Sequence, residues 1–172
     1  MAVQKKLVEE QLTQQELETW LWKAADILRG AVKPERYGSY ILPLLFFRRL
    51  SDVYREEYEE ALQKYKSEKV ASQSFVHKLV NISKGCLWDD IRKQTKDVGG
   101  KLNDIHAEIA RANPELDGVI NRTDFNKPDE IPPSRLAKLI EHFSQKDLGN
   151  KRVPPDMLGS AYEYLLKQFN EE

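Results

Sequence analysis

Three histidines and one cysteine are the side chains of this 172-residue sequence best suited to acid–base chemistry, nucleophilic attack or metal binding. His77, His106 and His142 lie far apart and lack the His-Glu-x-x-His spacing that places two imidazoles on one helix face around zinc. Cys86 stands alone, which excludes an intramolecular disulfide framework and a multi-cysteine zinc site. We therefore expect the histidines to be surface or partly buried polar contacts and Cys86 to be a small core residue.

Glycine spacing excludes the loops that hold nucleotides and methyl donors. Such loops need glycines separated by a single residue, because the backbone must approach the ligand closely. No two glycines have that separation, since they stand at positions 30, 38, 85, 99, 100, 118, 149 and 159. Neighbouring acids Asp89 and Asp90 point to different sides of a helix, so we assign them a charge role at a helix start. The sequence therefore predicts no catalytic, cofactor-binding or metal-binding residue.

Two pairs of adjacent basic residues are candidates for contact with phosphate groups or with another protein. Arg48 and Arg49 interrupt a strongly apolar stretch, and Lys151 and Arg152 precede the last predicted helix. Arginine forks suit phosphate oxygens, so either pair could contact DNA or a protein subunit. The more ordinary interpretation is a solvated helix turn or a surface salt bridge, and the sequence leaves both open.

The charge balance and the distribution of apolar residues are those of a globular chain. They do not favour binding to a polyanion such as nucleic acid. The net charge is −1, from 27 Lys+Arg and 28 Asp+Glu, whereas a stand-alone nucleic-acid binder is usually more basic. The start of the chain lacks the apolar core of a secretory signal. The longest apolar run, residues 40–47, is too short to span a membrane. We expect a single domain located in the reducing environment of the cytoplasm.

A capping motif and the helical spacing of apolar residues indicate the first helix. Thr13 and Glu16 have the spacing of a capping box, in which each side chain accepts a free backbone N–H at the helix start. Apolar residues then share one helix face, and Gly30 is a natural stop. That face consists of Leu17, Trp20, Leu21, Ala24 and Leu28. We expect residues 1–16 to be a polar lead-in, either frayed or ordered by a partner, and residues 17–172 to form the helical domain.

A second, longer helix opens near Pro34 and continues past Tyr65. Before Leu50 it is apolar nearly all round, which implies burial between other helices. Pro43 lacks an amide N–H and crowds the preceding turn, so it should kink this helix or mark its true start. Beyond Leu50 a mostly apolar stripe continues, with Glu56 among the residues that lie off it.

The rest of the chain predicts shorter helices separated by proline and glycine. They cover residues 74–80, 89–94, 98–112 and 135–143, and a final helix starts near Pro155. Residues 115–133 have the composition of a loop. No segment shows the strict alternation of a half-buried strand. The sequence therefore predicts an all-α fold, an irregular bundle of about six or seven helices.

Four segments resemble, in the same order, the N-terminal region of modification (M) subunits of type I restriction–modification systems. They are LWKAADILRG at residues 21–30, ILPLLFFRRLSDVY at 41–54, DFNKPDEIPPSRLAKLIEHFSQ at 124–145 and DMLGSAYEYLLKQF at 156–169. The resemblance spans residues 17–170, and the shared order of four segments makes it specific.

This resemblance implies a DNA methyltransferase that transfers a methyl group from S-adenosylmethionine to the exocyclic amino group of adenine. It also implies partners: a specificity subunit, a second M subunit and a restriction subunit, with DNA reached through the assembly. The family's cofactor loop and Asn-Pro-Pro-Phe/Tyr motif are missing, because the Pro-Pro pairs at residues 132–133 and 154–155 lack the flanking groups that hold a flipped adenine. The chain therefore resembles the helical N-terminal piece alone, inactive without a catalytic domain that lies outside it.

Two functional hypotheses follow. In the first, the chain is the non-catalytic helical domain of such a methyltransferase subunit and helps the subunits assemble and close around DNA. In the second, it is a pure protein–protein adaptor without direct DNA contact, which the near-zero charge favours slightly. Alanine at Arg48, Arg49, Lys151 and Arg152 distinguishes them, because DNA contact predicts a smaller salt dependence of binding and an adaptor predicts lost assembly.

Overall fold

The computed structural model describes residues 11–77 and 80–171, and this part of the chain contains seven α-helices and no strand. The helices are α1 (Gln14–Leu28), α2 (Tyr37–Tyr65), α3 (Glu68–Ala71), α4 (Trp88–Arg92), α5 (Val98–Ala112), α6 (Pro133–Phe143) and α7 (Pro155–Glu171). Three single 3₁₀ turns lie at Pro34–Arg36, Ser74–Val76 and Pro114–Leu116. The all-α prediction and the expected number of helices are confirmed.

Helix α1 begins and ends where the sequence indicates. The Thr13 hydroxyl accepts the backbone N–H of Glu16 at 3.1 Å, so the Thr13 half of the predicted capping box is present. Every residue of the predicted apolar face is buried. Gly30 follows the helix with a φ of +79°, a conformation that favours glycine. Just before the helix, Leu12 is buried and donates its N–H to the Arg152 carbonyl at 3.0 Å. Of the lead-in predicted at residues 1–16, residues 1–10 lie outside the described residues.

Helix α2 is the central element and contacts α1, α3, α4, α6 and α7. Pro43 lies inside this helix, so the expectation that it marks the true start of the helix is wrong. A proline at this position removes the hydrogen bond to the carbonyl four residues earlier, that of Ser39. The Thr123 hydroxyl donates to the Ser39 carbonyl at 2.6 Å and supplies the missing partner. The loop before α6 therefore compensates for the proline and lets the helix continue through it.

The core is one cluster of aromatic and aliphatic side chains between α2 and the helices around it. Phe47 of α2 packs on Trp88 of α4 with ring centroids 5.2 Å apart, and the Trp88 indole N–H donates to the Ser144 hydroxyl at 2.8 Å. The predicted inward residues of α6 are all buried: Leu136, Leu139, Ile140 and Phe143. Within the described residues, no helix is both long and apolar enough to cross a membrane.

Two local expectations are wrong. Residues 74–77 form one 3₁₀ turn that ends at His77 in an extended conformation, and not the start of a helix. The three histidines are all buried rather than at or near the surface. His77 stacks on Tyr54 with centroids 3.9 Å apart, and His106 lies edge-on to Phe47, so these imidazoles serve as flat core side chains. Cys86 is buried and Asp90 accepts the Leu87 N–H at the start of α4, as predicted.

Candidate functional site

The four basic residues predicted as contacts meet at one place, where α2 holds the connection between α6 and α7. Arg48, Arg49, Asp52 and Glu56 of α2 all bond to residues 146–153, and we call these four side chains and that segment the α2 clamp. Lys151 and Arg152 lie on the segment that is held. The clamp therefore joins parts of the chain about a hundred residues apart.

Arg49 is directed into the protein, and only 8% of it is exposed. Its guanidinium donates to the carbonyls of Leu148 at 2.7 Å and Val153 at 2.6 Å, and to the side-chain oxygen of Asn150. Burial lowers the pKa of Arg49, and nearby carboxylates, Glu56 first, oppose that change. These bonds fix the path of the segment that carries Lys151 and Arg152.

Arg48 supports the same segment one residue earlier on α2. Its Nε and Nη2 donate to the Lys146 carbonyl at 3.1 and 3.0 Å, and Nη1 pairs with Asp52 at 3.2 Å. Its guanidinium carbon lies 5.5 Å from the centre of the Trp88 ring. Within the described residues, the hydrogen bonds of both arginines therefore go to groups of the protein itself.

Two acidic residues complete the clamp, and sequence reasoning missed both. Asp52 accepts the Leu148 N–H at 2.8 Å, and burial raises the pKa of this carboxyl to about 6, against the opposing effect of Arg48. Glu56 accepts the N–H groups of Asn150 at 2.8 Å and Lys151 at 3.1 Å. The signal that could have found them is the spacing of Arg48, Asp52 and Glu56, which places all three on one face of a helix.

Gly149 is required by the clamp because its missing side chain makes room for an acid. A Cβ atom built on Gly149 would collide with the Glu56 carboxylate. Lys151 is exposed beside Glu59 and Glu60, whereas Arg152 is half-buried and its carbonyl accepts the Leu12 N–H. The clamp thus leaves Lys151 in a partly acidic setting, which is a poor environment for a phosphate group.

A cleft of about 730 Å³ lies on another side of α2, and we call it the α2–α7 cleft. Its apolar lining residues include Leu42, Phe46, Tyr162 and Leu166. Phe46 and Tyr162 are in contact across the two helices, with ring centroids 5.1 Å apart. Val119 also lines the cleft and is 48% exposed, an unusually large fraction for an apolar side chain in the described part of this chain.

The rim of the α2–α7 cleft carries charges of both signs. Arg36 and Lys127 both approach Glu130, at 3.3 and 3.9 Å. Asp124 accepts the Asn126 N–H at 2.8 Å, a bond that lowers the pKa of its carboxyl. Arg122 lines the cleft and forms no ion pair with any described residue. Apolar side chains beside polar groups of both charges are common at protein–protein contacts.

The described residues do not fit a nucleotide-like cofactor or a metal ion. No group of three or more His, Cys, Asp or Glu is placed to hold a metal in this part of the chain. The backbone of a cofactor loop must lie open to its ligand, but Gly99 faces the Phe125 carbonyl and Gly149 faces the Glu56 carboxylate. The glycines that lie in open space, Gly30, Gly85, Gly118 and Gly159, stand singly along the chain and do not form a glycine loop. S-adenosylmethionine therefore has no glycine cradle here.

Comparisons with known proteins show what this chain is similar to in sequence and in fold. A family model described as the HsdM N-terminal domain matches residues 17–143. The type I restriction enzyme MjaIX methylase subunit of Methanocaldococcus jannaschii is 28% identical over 91% of this chain. The crystal structure of a type I restriction-modification system methyltransferase subunit from Streptococcus thermophilus superposes with a TM-score of 0.69 at 20% identity, again over 91% of the chain, and shows a shared fold. The chain spans 31% and 39% of the length of these two proteins.

Proposed function

The chain belongs to the HsdM N-terminal domain family, and from that membership we propose that it is the non-catalytic helical part of a type I restriction–modification DNA methyltransferase subunit. The longer protein uses S-adenosylmethionine to methylate adenine in the cytoplasm, with catalysis in a separate domain. Its partners are a specificity subunit, a second methyltransferase subunit and a restriction subunit. The helical domain helps these subunits assemble and close around DNA.

The α2–α7 cleft is the observation that carries this role. The cleft has a volume of about 730 Å³, and its two aromatic and two aliphatic lining residues offer apolar contacts to side chains of another protein. Val119, which also lines the cleft, adds an exposed apolar side chain to this surface. The α2 clamp supports this use because it fixes the segment from which α7, one wall of the cleft, begins.

A charge substitution in the cleft tests the assembly role. In the full-length protein that carries this chain, Val119→Glu together with Leu166→Glu should abolish copurification with the specificity subunit, because two buried carboxylates would lack partners. Ala107→Glu is the matched control, since Ala107 is exposed on α5 away from the cleft. Unchanged copurification of the double variant, with a normal melting temperature, would refute the proposal.

A pure adaptor without DNA contact is the second candidate. The internal hydrogen bonds of Arg48 and Arg49 favour it, because guanidinium groups already bonded to carbonyls are not free to bind phosphates. Under this candidate, alanine at the four basic residues of the clamp region weakens assembly by loosening residues 146–153. The salt dependence of DNA binding by the assembled complex then stays the same.

A further inference from the structure

Helices α2 and α7 run antiparallel where they form the α2–α7 cleft. Phe46 contacts Tyr162 at one end of the shared edge, with ring centroids 5.1 Å apart. At the other end, a Cβ atom built on Gly38 would lie 3.2 Å from the Phe169 ring. Residue numbers therefore fall along α7 as they rise along α2, and the shared edge spans about two helical turns, or about 12 Å.

Each helix adds a leucine to this edge between its two ends. Leu42 precedes Phe46 by one turn, Leu166 follows Tyr162 by one turn, and all four side chains line the cleft. Val119 lines it from the loop between α5 and α6. Two antiparallel helices with apolar side chains at one-turn spacing form a groove that fits the apolar face of a third helix.

The two acidic residues that line the cleft are already bonded within the protein. Glu130 pairs with two basic residues of the rim, at 3.3 and 3.9 Å. Asp124 accepts the backbone N–H of Asn126 and the side-chain N–H of Asn103, both at 2.8 Å. A basic group brought by a partner would have to compete with these bonds, so the cleft does not favour a basic partner.

Arg122 is the cation of the cleft that these acids leave without a partner. It is exposed, and it forms neither an ion pair nor a side-chain hydrogen bond with any described residue. The two other basic residues of the rim, Arg36 and Lys127, share Glu130. The charge that the cleft offers to another molecule is therefore positive, beside an apolar lining.

We propose that the α2–α7 cleft binds an amphipathic helix of a partner protein, which places a leucine or an aromatic side chain among the apolar lining residues and a carboxylate at Arg122. The proposal rests on the proposed function, in which this cleft contacts another subunit, and adds the chemistry of what it contacts. The apolar anchor supplies most of the affinity, and the ion pair fixes the register of the helix and steers its approach. A nucleic acid fits less well, because its phosphodiester backbone has no apolar side chain for this lining.

Selection from a random phage-displayed library of peptides about 16 residues long, or about four helical turns, tests the proposal. The target is the full-length protein that carries this chain, and peptides that also bind its double variant Val119→Glu with Leu166→Glu are discarded. The remaining peptides should be enriched in Asp or Glu one turn from Leu, Phe or Trp. Selection on Arg122→Glu should enrich Lys or Arg at that place instead. Lys138→Glu is the matched control, since Lys138 is an exposed cation on α6 outside the cleft, and it should leave the preference acidic.

The affinity of the tightest peptide, labelled with a fluorophore, measures the ion pair directly. Arg122→Gln should weaken binding by up to about fivefold at low salt, because an exposed ion pair contributes about that much. The difference should vanish at about 1 M salt, where charges more than about 3 Å apart are screened. Lys138→Gln should leave the affinity unchanged at both salt concentrations. Circular dichroism melting verifies that each variant is folded.

Four results would overturn the proposal. They are enrichment of neutral or basic peptides, an acidic preference that persists in Arg122→Glu, failure to select any peptide that the double variant does not bind, and displacement of the labelled peptide by duplex DNA as effective as that by unlabelled peptide. Copurification with the specificity subunit separates this inference from the proposed function. If the double variant loses assembly but the selected peptides carry no acid, only the inference about the partner's chemistry falls. If the double variant assembles normally and acidic peptides are still selected, the assembly role falls and the acidic preference of the cleft stands.

Discussion

Replacing His106 with leucine should stabilise this protein, although it removes a fully buried side chain from the core. His106 is 1% exposed, and neither ring nitrogen has a hydrogen-bond partner in the described structure. Its neighbours are aromatic, with the Phe47 ring centre at 5.0 Å and that of Phe125 at 5.7 Å. A buried donor without a partner costs about 1–3 kcal/mol. Leucine has similar volume and no polar atom, so we expect His106→Leu to raise the free energy of unfolding by about 1–2 kcal/mol at pH 7.

The extra stability of the His106→Leu variant over the wild type should grow as the pH falls. Burial lowers the pKa of His106 to about 3, whereas an unfolded histidine titrates near 6.5. Between these values the unfolded chain binds a proton that the folded protein does not, so His106 reduces stability as the pH falls below about 6.5. The loss is about 1.4 kcal/mol per pH unit, or about 3 kcal/mol by pH 4. The His106→Leu variant has no titrating group at this position, so it does not show this loss of stability.

Urea unfolding at pH 7, 5.5 and 4.5, followed by circular dichroism, measures the effect. The difference between variant and wild type isolates His106, because all other titrating groups are shared. His142→Leu is the matched control: His142 is also buried but donates to the Trp20 carbonyl, so its loss should destabilise the protein at pH 7. A destabilised His106→Leu protein at pH 7, or a difference independent of pH, would show that the imidazole has a bonding partner and refute this reasoning.

Three further substitutions, one of them paired with a control, test the clamp and the proline inside α2. Gly149→Ala should destabilise the fold by about 2 kcal/mol by calorimetry, since its Cβ meets a carboxylate, whereas Gly159→Ala, in open space within α7, should stabilise it by up to about 1 kcal/mol. For Asp52, the pKa near 6 lies above the unfolded value, so its contribution to stability is full below about pH 4 and is lost as the pH rises through 6. Asp52→Asn should remove that loss, seen as a flatter stability profile between pH 4 and 6; an unchanged profile would contradict the assignment. Thr123→Val should cost about 1 kcal/mol in urea unfolding because the Ser39 carbonyl loses its donor, and an unaffected midpoint would mean that Pro43 needs no such partner.

The helices could be predicted because their signals are local. In α6, four apolar residues at helical spacing are all buried, and in α1 the cap at Thr13 and the stop at Gly30 lie where the pattern places them. The family could be predicted for the same reason, since ordered local segments identify a family without any knowledge of packing.

The clamp could not be predicted because its partners are distant in sequence. Nothing near Arg49 shows that its acceptors are the carbonyls of Leu148 and Val153. Glu56 lies off the apolar stripe of the sequence and yet is buried, because backbone N–H groups of a remote loop satisfy its carboxylate. Single-sequence patterns report which face of a helix is apolar, but they do not report which polar residues find a buried partner.

The α2 clamp also has a consequence for the order in which the chain folds as it is made. Helix α2 leaves the ribosome about a hundred residues before Leu148 and Val153, the groups that satisfy Arg49. Until then Arg49, Asp52 and Glu56 can remain hydrated only if this face of α2 stays open to water. Native closure around α2 therefore waits for residue 153, which lies beyond the last residue matched by the family model. The unit that folds cooperatively extends at least to the end of the clamp.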